Sequence, residues 1–178
     1  MGFKDKREIV YEKEDAYKTL EIINSWINAM DTKASFLLAY IAVIMGFVFT
    51  SGIPHVFEVI NASNISFLLI IKLSCVVLLY FSLLTSIILY FETLKARIKN
   101  EKNRHSLLFF GEIASISLND FKAKILNRTE EELIKDILEQ IHTNSLICKR
   151  KSRLFNGGII TTIIATLLYV VSIVCHLL

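Results

Sequence analysis

The 178-residue sequence has one proline, Pro54, only six glycines and no low-complexity stretch or convincing internal repeat. That shortage excludes a flexible interdomain linker and a loop-rich scaffold. Three cysteines, Cys75, Cys148 and Cys175, stand at neither metal nor disulfide spacing and read as packing residues. Histidines at 55, 105, 142 and 176 are scattered without ligand spacing. No glycine-rich phosphate loop, HExxH pair or nucleophile elbow occurs. These residues offer no catalytic constellation, metal site or cofactor, so the chain is read as a non-enzyme.

Charge is missing as well, and in three places. The runs 34–53, 65–91 and 157–178 are uncharged or nearly so. The composition is 53% hydrophobic with a mean hydropathy of +0.52, against ~45–50% apolar for an ordinary soluble domain. Each run reaches the ~20 residues a helix needs to cross ~30 Å of hydrocarbon. Backbone groups in that medium must be satisfied within their own segment, so the runs are predicted to be helices. A soluble protein with three such buried helices would need a far larger polar shell. The fold class is therefore an all-α integral membrane protein with three transmembrane helices.

Lys and Arg then set the orientation. Six precede the first run, thirteen lie between residues 92 and 156, and none lies in the short loop 54–64. The positive-inside rule places the N-terminus and 92–156 in the cytosol, and the C-terminus outside. The first 33 residues alternate charge and hold no early apolar core, so the first span is expected to stay in the mature chain. Lys72, in the outer third of the second span, is read as snorkelling outward.

The polar segments carry helical signals of their own. Ala16, Leu20, Ile23, Ile27, Met30 and Ala34 recur at spacings of 4, 3, 4, 3 and 4, a packing seam that enters span one without a breaker. The N-terminal segment 1–33 is thus predicted to be one helix with span 34–53. Span two is predicted to continue past Phe91 through Glu92, Lys95 and Lys99. Ser117 looks like the cap of a short helix ending near Asn127. Thr129 and Glu132 form a capping box for a helix with Leu133, Ile137, Ile141 and Cys148 near one face. These pieces, the N-terminal extension and 92–156, are predicted to form a cytosolic helical bundle.

Three polar features have two readings each. The run Lys149-Arg150-Lys151-Ser152-Arg153 either fixes topology beside anionic head groups or binds a phosphate-bearing ligand. Asp31 and Lys33, at the mouth of span one, either pair and snorkel or line a ligand pocket; an acid so near a span needs a partner. Thr162, Thr166, Tyr169, Ser172 and His176 share one face of span three, either as helix glue or as the lining of a pore in an oligomer. Ser74, Cys75, Ser82, Thr85 and Ser86 make a weaker stripe on span two.

Asn28-Ala-Met-Asp31-Thr-Lys33-Ala-Ser-Phe-Leu-Leu resembles the ADxKAsxLL signature of the Pycsar effector transmembrane family. Ser106-Leu-Leu-Phe109-Phe110-Gly111-Glu112-Ile113-Ala114 is similar to that family's FFGxIA segment. Thr129–Leu133, then Gln140–His142 through Lys151–Leu154, resembles its closing helix. The likeness runs in order along nearly the whole chain, with Met30 where the family usually has Ala.

The resemblance implies an antiphage effector of the bacterial inner membrane. A companion synthase would make a nucleotide second messenger on infection, a cyclic mononucleotide or a short oligonucleotide. The effector would sense it and, as a homo-oligomer, open a pore or disrupt the bilayer, causing abortive infection. Asp31, Lys33, Phe109, Phe110, Gly111, Arg150 and Arg153 are the candidate nucleotide-binding residues, combining positive charge with aromatic faces. Thr162, Thr166, Tyr169, Ser172 and His176 are the candidate pore lining. Two rivals remain: a non-channel membrane scaffold recruiting a cytosolic partner, and a signal-independent holin-like protein.

Overall fold

The computed structural model of the chain describes residues 12–52, 54, 57, 66–95 and 106–177. They form five helices and, among the described residues, no strand: α1 Lys13–Thr50, α2 Phe67–Leu94, α3 Phe110–Ser115, α4 Leu118–Leu126 and α5 Glu130–Val174. Three of them, α1, α2 and α5, hold 18-residue windows of mean hydropathy 1.9, 2.5 and 2.2, long and apolar enough to cross a bilayer. The chain is an all-α membrane protein. It divides into two compact units, a polar one of residues 1–27 and 96–148 and an apolar one of 28–95 and 149–178.

Local sequence explains the helix ends. Ser117 caps α4, its hydroxyl accepting from the Asp120 amide at 3.1 Å. Before α5, the Thr129 amide donates to Glu132 Oε2 at 3.1 Å and the Glu132 amide to Thr129 Oγ1 at 3.3 Å, a reciprocal capping box. Glu130, Glu131 and Glu132 in its first turn suit the positive end of the helix dipole. One expectation is shortened: α2 continues past Phe91 through Glu92 but ends at Leu94, since Lys95 already leaves helical geometry with ψ 119°. No glycine or proline marks that stop; Lys95 instead folds back to Glu92 at 3.3 Å. Lys99 and most of the loop 54–64 lie outside the described residues.

In the apolar unit the three long helices share one core. Ala34, Ile41, Ile44 and Val48 of α1 pack with Leu79, Leu83 and Tyr90 of α2 and Ala165 of α5. The α1 members continue the seam that begins at buried Ala16 and Ile23, at the same alternation of three and four residues. Lipid tails are as apolar as Leu, so burial alone does not hold such helices together; close packing and interhelical hydrogen bonds must. Three hydroxyl pairs supply the bonds: Ser86 donates to Thr161 at 2.7 Å, Tyr90 and Thr162 share one of 3.0 Å, and Tyr40 and Thr166 one of 3.1 Å. Each contributes about 0.6 kcal/mol on average.

Gly158 is what lets Tyr90 sit there. A Cβ at 158 would lie 2.6 Å from Tyr90 Cε1, inside van der Waals contact, whereas one at Gly46 would meet nothing within 4 Å. Gly158→Ala should therefore lower stability by about 1–3 kcal/mol through overpacking. Gly46→Ala should be neutral or stabilising by helix propensity. Thermal unfolding of both variants in one detergent checks this; equal midpoints would show that Tyr90 does not need the gap.

Candidate functional site

α5 carries a polar ladder through the polar unit. Asp136, Gln140 and Asn144 lie one turn apart on its inward face, each tied to a different segment. Asp136 Oδ2 accepts from the Leu107 amide at 3.1 Å and from Arg128 at 2.5 Å. Gln140 Nε2 donates to Ser106 Oγ at 2.9 Å, and Ser106 also accepts from the Leu108 amide at 3.1 Å. Asn144 donates to Asn24 of α1 at 2.8 Å. Asp136, Gln140 and Ser106 are all buried, so these bonds satisfy groups that water cannot reach.

The Arg128–Asp136 pair forms one wall of a cleft of about 920 Å³ between α4, α5 and Leu107. Lys124 and Lys135 add two further cations; Ala123 and Leu107 supply an apolar patch and Asn127 an amide. Glu132, Asp136 and Glu139 complete the lining. None of the acids is idle: Glu132 takes the Thr129 amide, Asp136 takes Arg128 and Leu107, and Glu139 is also engaged. Lys124 and Lys135 have no ion-pair partner among the described residues. The cleft lining thus sets three cations against three carboxylates, and its formal charge is balanced.

In the apolar unit the partner that Asp31 requires is Lys151. Its ammonium lies 2.5 and 2.7 Å from the two carboxylate oxygens, and the lysine is buried while a third of the Asp31 side chain stays exposed. Lys33 points elsewhere and is exposed, as two residues along a helix turn the side chain by ~200°. Arg150 reaches Glu92 at 3.8 Å from an exposed position, and Arg153 is exposed without a bond among the described residues.

Phe109, Phe110 and Gly111 belong to the polar unit and Asp31, Lys33, Arg150 and Arg153 to the apolar one. Phe109 and Phe110 stack at 5.0 Å with tilted rings, Phe110 largely exposed. The Phe109 ring occupies the space where a Cβ on Gly111 would stand, 2.7 Å away. Of this segment only Leu107 lines the cleft.

Two members of the polar stripe, Thr162 and Thr166, are bonded to other helices of the same chain. Thr162 and Ser172 are buried, Thr166 is bonded to Tyr40, Tyr169 packs on the core, and His176 alone is exposed. Ser172 Oγ is the buried side-chain oxygen without a hydrogen-bond partner among the described residues. Thr162 and Thr166 thereby join α5 to α2 and α1.

Sequence reasoning missed Lys124, Arg128, Lys135 and Asp136, and it named Lys151 only as part of a basic run. The signal was present in the i, i+4 spacing of Asp136, Gln140 and Asn144 among apolar residues of a helix face. No group of three or more His, Cys, Asp or Glu able to hold a metal occurs among the described residues.

Removing either member of the Asp31–Lys151 pair should cost about 1–3 kcal/mol, less than the ~3–5 of a fully buried pair because Asp31 keeps some water. Asp31→Asn, Lys151→Met and their combination, compared by thermal unfolding, form the test. Strictly additive losses would mean the two charges do not interact.

The family described as the Pycsar effector protein domain matches residues 15–176. The chain is also 31% identical to the Pycsar effector protein GmPycTM of Gulbenkiania mobilis over 176 positions, covering 89% of this chain and 90% of that protein. No solved structure matches.

Proposed function

The chain belongs to the Pycsar effector family, and on that footing we propose that it is an antiphage effector whose polar unit senses a nucleotide second messenger and whose apolar unit then breaches the inner membrane. The observation that carries this reading is α5. One unbroken helix of 45 residues bears the cleft residues near its start and the membrane seam near its end. A ligand that alters the first turns of such a helix acts on the same helix that carries the seam.

The spans are residues 34–53, 65–91 and 157–178, with the N-terminus and 92–156 cytosolic and the C-terminus periplasmic. Conduction takes place in a homo-oligomer, since three helices packed on one core enclose no axial passage. The surface fits that requirement: only 22% of each apolar window is buried within the chain, leaving the rest for lipid or other copies. A companion synthase supplies the messenger, a cyclic mononucleotide before an oligonucleotide.

Opening is a population shift. The messenger must bind the open form better than the closed one, and moving from ~1% to ~99% open takes a preference of ~10⁴-fold. In the closed form Thr162 and Thr166 are bonded to Tyr90 and Tyr40. For the stripe Thr162, Thr166, Tyr169, Ser172 and His176 to face water, the seam must repack and those bonds must exchange for water. Ser172, which forgoes a bond in the closed form, loses nothing by that change.

The bonded stripe also favours a second reading, a scaffold whose polar groups only hold helices together. Dye-loaded liposomes containing the purified chain discriminate the two. Cyclic mononucleotides, cyclic dinucleotides and short oligonucleotides are added in turn, and release with one class is expected. No release with any of them, despite correct insertion, would favour the scaffold.

A further inference from the structure

The basic run of α5 divides by helical phase. Lys151 faces inward to Asp31 at 2.5 and 2.7 Å. Arg150 turns sideways to Glu92 of α2 at 3.8 Å, and Lys95 shares that carboxylate at 3.3 Å. Lys149 and Arg153 are exposed and have no ion-pair partner among the described residues. They stand four residues apart, one above the other on the helix. The same phase continues at steps of three and four through Asn156, Ile160, Ile164, Leu167 and Val171, all exposed. That is the outward stripe of the span, so the two unpaired cations head the surface that α5 offers to lipid. Among the described residues this end of the apolar unit carries Lys33, Lys95, Lys149, Arg150, Lys151 and Arg153 against Asp31 and Glu92. Six cations to two carboxylates leave it strongly positive.

We propose that Lys149 and Arg153 form a binding site for an anionic phospholipid, holding its phosphate while its acyl chains lie along Ile160, Ile164 and Leu167. The proposal needs only that the chain spans a bilayer and is independent of the function proposed above. A topology signal requires cations near a span at any helical phase. Here the phases that meet α1 and α2 are supplied with acids, and the phase that meets neither is left positive. Like charges at i, i+4 repel along a helix, and an anion between them relieves that repulsion. Arg153 offers its planar fork to two phosphate oxygens, and Lys149 adds a point charge one turn away. Side chains of α5 lean toward its N-terminus, which carries both heads out of the hydrocarbon into the layer of phosphates. A zwitterionic head group brings its own cation and gains little from the pair. A second copy docked on this stripe by a two-fold axis would bring like charges together, so lipid is the occupant that the charge favours.

The test uses the full chain in nonionic detergent with a fluorescent phosphatidylglycerol as the probe. Unlabelled phosphatidylglycerol, phosphatidylcholine and inorganic phosphate compete for it in turn. Each cation beside an anionic head group is worth about fivefold, so phosphatidylglycerol should displace the probe at least about tenfold better than phosphatidylcholine. Excess inorganic phosphate should leave the probe bound, since it brings no acyl chain to the apolar stripe. Lys149→Gln/Arg153→Gln should abolish the preference. Lys18→Gln/Lys122→Gln, which removes the same charge from exposed positions of the polar unit, should keep it. Both site residues are exposed and unpaired among the described residues, so thermal unfolding should not change. Salt gives a readout on the wild type alone: at ~1 M, where charges are screened beyond ~3 Å, the preference should shrink. Equal competition by the two lipids, a preference that survives in the site variant or in high salt, or displacement by inorganic phosphate as effective as by phosphatidylglycerol would each overturn the lipid site.

Discussion

A single stripe along α5 sets most of this molecule. From Asp136 it runs through Gln140, Asn144 and Lys151 to Gly158, Thr162, Ala165, Tyr169 and Ser172, at steps of three, four or seven that keep to one face of the helix. Water does not reach the buried part of that face, by packing in the polar unit and by hydrocarbon in the span, so its polar atoms need partners from another segment or from their own backbone. The partners are supplied in register: Ser106 and Asn24 to the amides, Asp31 to Lys151, Tyr90 and Tyr40 to the threonines. Ser172 is left without one among the described residues, close to the helix end, where slack costs least.

The Asp31–Lys151 pair has a special place on that stripe. It lies where polar residues give way to the apolar run, and its lysine is buried while its acid keeps access to water. A buried lysine without its acid would be an uncompensated charge beside the bilayer, so the pair resists any slide of α1 along α5 by one turn. Together with Gly158, which admits the Tyr90 ring, it fixes the register in which the hydroxyl pairs can form. On the function proposed above, this packing is the closed state, and its specification at so few points suits a two-state element. Loss of several such bonds together is needed to leave it, and a ligand of sufficient differential affinity can supply that energy.

Much of the architecture was legible because its signals are strongly periodic or strongly apolar. The three spans follow from run length, the α1 seam from the repeat that includes Ala16, Ile23 and Ala34, and the start of α5 from the Thr129–Glu132 box. The end of α2 at Leu94 was not legible, since no breaker residue stands there and Lys95 would be a good helix former. The need of Asp31 for a partner could be read, but not which partner, because Lys149, Arg150, Lys151 and Arg153 are equivalent until their helical phase is known. Only Lys151 shares the phase of the seam. The cleft was invisible for a different reason: Lys124, Arg128 and Lys135 are ordinary surface cations in sequence, and only the packing of α4 near α5 makes them line one cleft.

On the proposed function, the α2–α5 contact decides whether the seam must repack for the membrane to be breached. Ser86 and Thr161 are short side chains whose oxygens stand 2.7 Å apart, which suits a disulfide between cysteines at those positions. The measurement is nucleotide-triggered dye release from liposomes carrying Ser86→Cys/Thr161→Cys, with Cys75, Cys148 and Cys175 replaced by alanine, before and after reduction. The expected result is that the oxidised protein binds nucleotide but releases no dye, and that reduction restores release. Equal release from the oxidised and reduced forms would contradict a repacking seam.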